Sequence, residues 1–152
     1  MDAKVTWDRD LQFVGLADSG YPIKLDSKSG PDTGAGPVEL TAIALAGCTA
    51  MDVISILNKK QKKVTHFEVR VHADRSSDYP QVITQAALEY VITGHDVDEA
   101  SVRRAIELSV KQYCPVHAML KKAFPITLNY SIYEGDARVT PQLLKQGTYR
   151  AE

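Results

Sequence analysis

What this chain lacks narrows the field first. It has only two cysteines in 152 residues, which is too few for a disulfide-built scaffold. It has no excess of either charge: 18 Lys and Arg face 19 Asp and Glu, for a formal net charge of −1. Phosphate recognition usually requires a clear basic excess, so a dedicated nucleic-acid binder is not expected. No basic-then-apolar segment opens the chain, which argues against a signal peptide and for a reducing cytoplasm. The longest uncharged apolar run, Leu40 to Met51, is shorter than the roughly 20 residues of a membrane span. GxGxxG, Walker A, GxSxG and HExxH patterns are all absent, as are internal repeats and low-complexity tracts.

What is present, with 44% hydrophobic residues, is the composition of one ordinary globular domain. Val5, Trp7, Leu11 and Phe13, and then Tyr21, Ile23 and Leu25, alternate as two or three antiparallel strands. A Gly- and Pro-rich loop from Ser27 leads to Pro37, a residue well suited to open a helix. The segment Pro37 to Leu57 is apolar nearly all round, with Asp52 the single charge after Leu40. Such a helix must be covered on more than one side. The lysines Lys59, Lys60, Lys62 and Lys63 read as a solvated helix end that complements the dipole.

Further on, Phe67, Val69, Val71 and Ala73 alternate with His66, Glu68, Arg70 and His72, a strand with one wet face. Val82 to Ile92 is a second long strand. Asp96 and Glu99 have capping-box spacing for a helix bearing Val102, Ile106 and Val110. Tyr113-Cys114-Pro115 interrupts it, and a short helix runs on to Ala123. Ile126 to Ile132 alternates as the last strand. The expected layout is a single domain over 1–134 and a polar surface tail over 135–152.

The two cysteines carry most of the chemical interest. Cys48 lies mid-helix behind Gly47, and a helical Gly costs about 1 kcal/mol relative to Ala. Either close helix packing or open space beside the thiol would explain it. Cys114 precedes Pro115 and so caps the following helix, a position that favours a thiolate. The pair is not CxxC, so thioredoxin-like exchange is not indicated. Cys114 and His117 with Cys48 make an improbable zinc set.

Gly36-Pro37-Val38-Glu39-Leu40, Ala46-Gly47-Cys48 and Cys114-Pro115-Val116 together resemble the OsmC/Ohr family, over about Val5 to Tyr133. That resemblance implies an α+β fold, antiparallel sheets packed around a long central helix, and an intertwined homodimer with its site at the subunit interface. It also implies reduction of organic hydroperoxides by a thiol mechanism, with Cys48 attacking, Cys114 resolving and an external thiol resetting the pair. No cofactor, metal, nucleic acid or membrane is implied. Glu39, Gly47, Asp52 and Arg9 are the candidate supporting residues.

This chain departs from the family pattern in two places. Val38 stands where the peroxidases have Glu, and Glu39 is about half a turn round a regular helix from Cys48. Arg9 is the only early arginine to set against the one that pairs with the family's reactive thiolate. Asp52, four residues after Cys48, would oppose ionisation of the thiol unless it orients a neighbour. The alternative function is therefore a binding or redox-sensing protein with little turnover.

Overall fold

A computed structural model describes residues 1–27, 33–136 and 140–150. The expected loop from Ser27 thus lies partly outside the described residues. The chain divides into two compact units, Met1–Ile43 and Ala44–Glu152.

The first unit is a meander of three antiparallel strands, β1 (Ala3–Arg9), β2 (Gln12–Ala17) and β3 (Ile23–Leu25), in the order β1-β2-β3. The β1–β2 turn places Asp10 at φ 44°, a left-handed position that Asp tolerates. The β2–β3 turn uses Gly20 at φ 72°. Every residue of β1 is exposed, Val5 and Trp7 included.

Helix α1 (Pro37–Lys59) begins in the first unit and continues through the second. Pro37 is its first residue, and Glu39 Oε2 accepts the Gly36 N–H at 2.7 Å. That is one half of a capping box, satisfying a donor that the helix start would otherwise leave bare. At 23 residues α1 is long and apolar enough to cross a membrane by length and composition, its most apolar 18-residue stretch having mean hydropathy 1.9. The uncharged run alone understated this, because the helix continues past Asp52. Its Leu45, Val53 and Leu57 are nevertheless fully buried in protein.

The second unit contains a four-stranded sheet, β4 (Lys63–Arg75), β5 (Ile83–His95), β6 (Ile126–Glu134) and β7 (Gln142–Tyr149), in that order. Between β5 and β6 come α2 (Glu99–Leu108), a π-helical turn (Ser109–Tyr113) and α3 (Pro115–Leu120). This helical crossover lets β5 and β6 run parallel, so the sheet is mixed rather than wholly antiparallel. Leu88, Tyr90 and Ile92 of β5, and Leu128, Tyr130 and Ile132 of β6, share one core with Val102, Ala105 and Ile106 of α2 and with Leu45, Val53 and Leu57 of α1. Each such buried side chain contributes about 1.5–3 kcal/mol of apolar transfer. Phe67, Val69, Val71 and Ala73 pack against this core, while His66, Arg70 and His72 face out, as their alternation requires.

Two expectations change here. Residues 142–149 of the expected polar tail form β7, held along β6 by a ladder from Leu128–Tyr149 to Glu134–Gln142. Their polar side chains suit an edge strand, which needs few apolar contacts once its backbone is paired. The cap of α2 is Asp98, not Asp96: Asp98 Oδ1 accepts the Ser101 N–H at 2.7 Å. Asp96 instead takes the turn before it, at φ 59°. Lys62 Nζ lies 2.6 Å from Asp98 Oδ2 and, ahead of the Ser101 bonds, holds that carboxyl well below the usual carboxylate range.

Candidate active site

The fold brings together Cys48, Cys114 and Asp52, all within the second unit. Cys48 lies on α1 and is half-buried, whereas Cys114 is 2% exposed. Both are free thiols, and the Cys114 thiol donates to Cys48 Sγ across 2.8 Å. Closing a disulfide of about 2.05 Å from that separation requires the sulfurs to move less than an ångström or so.

Cys114 is the cap of α3, as its place before Pro115 predicts. Its backbone is extended (φ −77°, ψ 102°), and its Sγ accepts the His117 N–H at 3.3 Å. The expected low thiol pKa is overturned, however. Burial, reinforced by the bond to Cys48, pushes the Cys114 thiol up to about 12, and the His117 N–H offsets only part of that. Desolvation disfavours the charged form more than one N–H and a short helix favour it.

Beneath the thiols lies a chain of buried polar groups. Ser109 Oγ is 2.9 Å from Asp52 Oδ2 and 3.0 Å from Thr49 Oγ1, and Thr49 Oγ1 is 2.7 Å from the Tyr90 hydroxyl. Thr49, Tyr90 and Ser109 are almost fully buried. Burial also pushes the Tyr90 phenol up, so it remains protonated. Asp52 thus orients a neighbour, the second of the roles open to it. Its charge still opposes ionisation of Cys114.

Gly47 borders open space: a Cβ built there meets nothing within 4 Å. Of the two explanations for this glycine, close packing finds no partner among the described residues. Leu45, next to it, points into the core, so Met51 and Ala44 are the exposed apolar neighbours of Cys48 on α1. A groove of about 530 Å³ runs past Asp52, Ile56, Leu108 and Tyr113 to Lys59 and Lys60. His117 is buried, and desolvation, then Lys121, lowers its pKa. Its ring bonds the Val110 carbonyl, while Nδ1 has no partner among the described residues.

Arg9 and Glu39 belong to the first unit. Arg9 Nε donates to Gln12 Oε1 at 3.0 Å across the β1–β2 turn, and Glu39 caps its own helix. Sequence reasoning missed Thr49, Tyr90 and Ser109, and weighed His117 only as a metal ligand. Isolated hydroxyls at core positions carry no pattern of their own, and only Thr49, adjacent to Cys48, had a local signal.

A helix-borne thiol facing a second thiol that caps a helix before Pro matches the resemblance noted in the sequence. The profile of the OsmC-like protein family matches residues 30–129. The chain belongs to the OsmC-like family. This OsmC-like protein is 39% identical over 132 residues to protein YhfA of Escherichia coli (strain K12), a match covering 87% of this chain and 98% of that protein. Its fold is similar to that of an OsmC-like protein from Mycoplasma pneumoniae, with TM-score 0.74 and 20% identity over 86% of this chain and 95% of that one. It is also similar to the organic hydroperoxide resistance protein OhrB of Bacillus subtilis, with TM-score 0.56 and 16% identity over 86% and 98% of the two chains. The mixed α+β architecture, with its long helix, is that of the OsmC-like fold.

Proposed function

We propose that this protein reduces organic hydroperoxides through Cys48 and Cys114. The observation that carries this reading is the 2.8 Å approach of the two thiols. Cys48 is the attacking sulfur because it is the more exposed of the two and receives a hydrogen bond from Cys114. Cys114 thus supplies Cys48 with a donor that the sequence did not reveal. The Cys48 thiolate displaces alkoxide from the peroxide O–O bond, leaving Cys48 as sulfenic acid and, after protonation, an alcohol. The Cys114 sulfur then attacks the Cys48 sulfur, water leaves, and a disulfide forms. Two equivalents of an external thiol reduce that disulfide, themselves becoming oxidised. In sum, ROOH and two R′SH give ROH, H₂O and R′SSR′.

An alkyl peroxide is the preferred substrate over hydrogen peroxide, since Ala44, Met51 and the open side of Gly47 offer apolar walls beside Cys48. The working form is a cytoplasmic homodimer. The exposed Val5 and Trp7 of β1, and Ile43 and Met51 of α1, are the apolar surface that a second copy would cover. A redox sensor with slow turnover is the competing reading, favoured by the Asp52 charge that opposes ionisation of Cys114.

The deciding experiment is the intact mass of the reduced chain before and after one equivalent of an organic hydroperoxide. Loss of two hydrogens supports the dithiol mechanism. An unchanged mass with both an alkyl hydroperoxide and hydrogen peroxide rules it out.

A further inference from the structure

We propose that Ser109 is a positioning residue that holds Cys48 and Cys114 in register for disulfide closure. It is fully buried and sits where α2 passes into the π-helical turn. Its backbone carbonyl accepts the Cys114 N–H at 2.8 Å. Its side chain reaches the other cysteine's helix, touching Thr49, which follows Cys48, and Asp52, one turn further on the same face. One residue therefore fixes the backbone of one thiol and brackets the helix of the other.

Proton bookkeeping gives this network a direction. A serine hydroxyl has one proton to donate. The bond to the Asp52 carboxylate is charge-assisted and is the stronger of the two available to it. Ser109 therefore donates first to Asp52, its contact with Thr49 Oγ1 being the weaker of the two, and Thr49 Oγ1 meets the Tyr90 hydroxyl. The network ends on a carboxylate.

The π-helical turn supplies the rest of the alignment. Its ring closes from Cys114 back to Ser109 rather than to Val110. Removing one residue from the turn would rotate Cys114 by about 100° away from its present direction. The inference rests on the dithiol chemistry proposed above, but not on the peroxide as oxidant.

The test is equilibration with reduced and oxidised glutathione, read as the ratio of dithiol to disulfide by intact mass. Oxidation of the pair by glutathione disulfide releases two glutathiones, so the equilibrium constant measures the effective concentration of Cys114 toward Cys48. Ser109→Ala is expected to lower it by about tenfold to a hundredfold, as a misplacement near an ångström does. Ser131→Ala is the control. It also removes a buried hydroxyl, one bonded to Glu89 on the sheet, and should leave the constant within about twofold. An unchanged constant in Ser109→Ala, or an equal fall in Ser131→Ala, overturns the inference. If Ser109→Ala does not fold, Thr49→Val removes the hydroxyl that Ser109 meets on the helix of Cys48, and the same fall is required of it. Wild-type protein that glutathione disulfide oxidises but organic hydroperoxide does not would refute the peroxidase reading alone.

Discussion

The assignment of roles to the two thiols depends on Cys114 staying protonated, and that has a thermodynamic consequence. The Cys114 thiol is raised from 9.0 to about 12 in the fold, chiefly by burial. Between those values the unfolded chain has released a proton that the native protein still holds. Stability falls with pH wherever the native state binds more protons, so reduced protein loses stability as pH rises through this window. The contribution is fully present below pH 9 and gone above the folded pKa. The full span is on the order of 4 kcal/mol, of which about 1 kcal/mol is already lost at pH 10. Cys114→Ser is the right perturbation, because serine keeps a good cap for α3 while removing the titrating thiol. The assay is urea unfolding under reducing conditions at pH 7.5, 9 and 10. Other groups that titrate in this range are common to both proteins, so the difference between the two curves isolates Cys114. Wild type should lose about 1 kcal/mol more than the variant between pH 7.5 and 10. Equal losses would show that Cys114 ionises normally in the fold, and the argument for Cys48 as the attacking sulfur would lose its physical support.

With an organic hydroperoxide and a sulfenic-acid trap, Cys114→Ser should accumulate adduct at Cys48, while Cys48→Ser should give little; mass mapping of the adduct checks this, and the reverse pattern refutes the assigned roles. Gly47→Ala should raise stability by about 1 kcal/mol in urea, because its Cβ meets nothing within 4 Å. If the open space belongs to substrate, the same variant should oxidise more slowly with a bulky alkyl hydroperoxide than with a small one, in stopped-flow measurements. Asp98→Ala should cost about 1–2 kcal/mol through the lost cap of α2. Since Lys62 lowers the Asp98 carboxyl, its contribution should fade as pH falls below the ordinary carboxylate range, and acid titration by circular dichroism of both proteins checks it.

Much of this protein was legible in its sequence. Period-2 alternation found the strands of the first sheet and β4 and β6 of the second, because only the pleat has that period. The apolar run behind Pro37 gave α1, and Pro115 gave the break that makes Cys114 a cap, since proline constrains the chain locally. The two cysteines in their local contexts pointed to the family. β7 escaped because an edge strand is specified by the backbone of β6, not by its own side chains. Asp98 displaced Asp96 as the cap because Lys62, distant in sequence, sits beside it. Above all, the state of the thiols was decided by tertiary structure. A helix cap favours a thiolate, and the sequence showed that much, but Cys114 is packed at 2% exposure against Cys48 and near Asp52. Desolvation depends on what surrounds a group from every side, and residues that meet only on folding determine it.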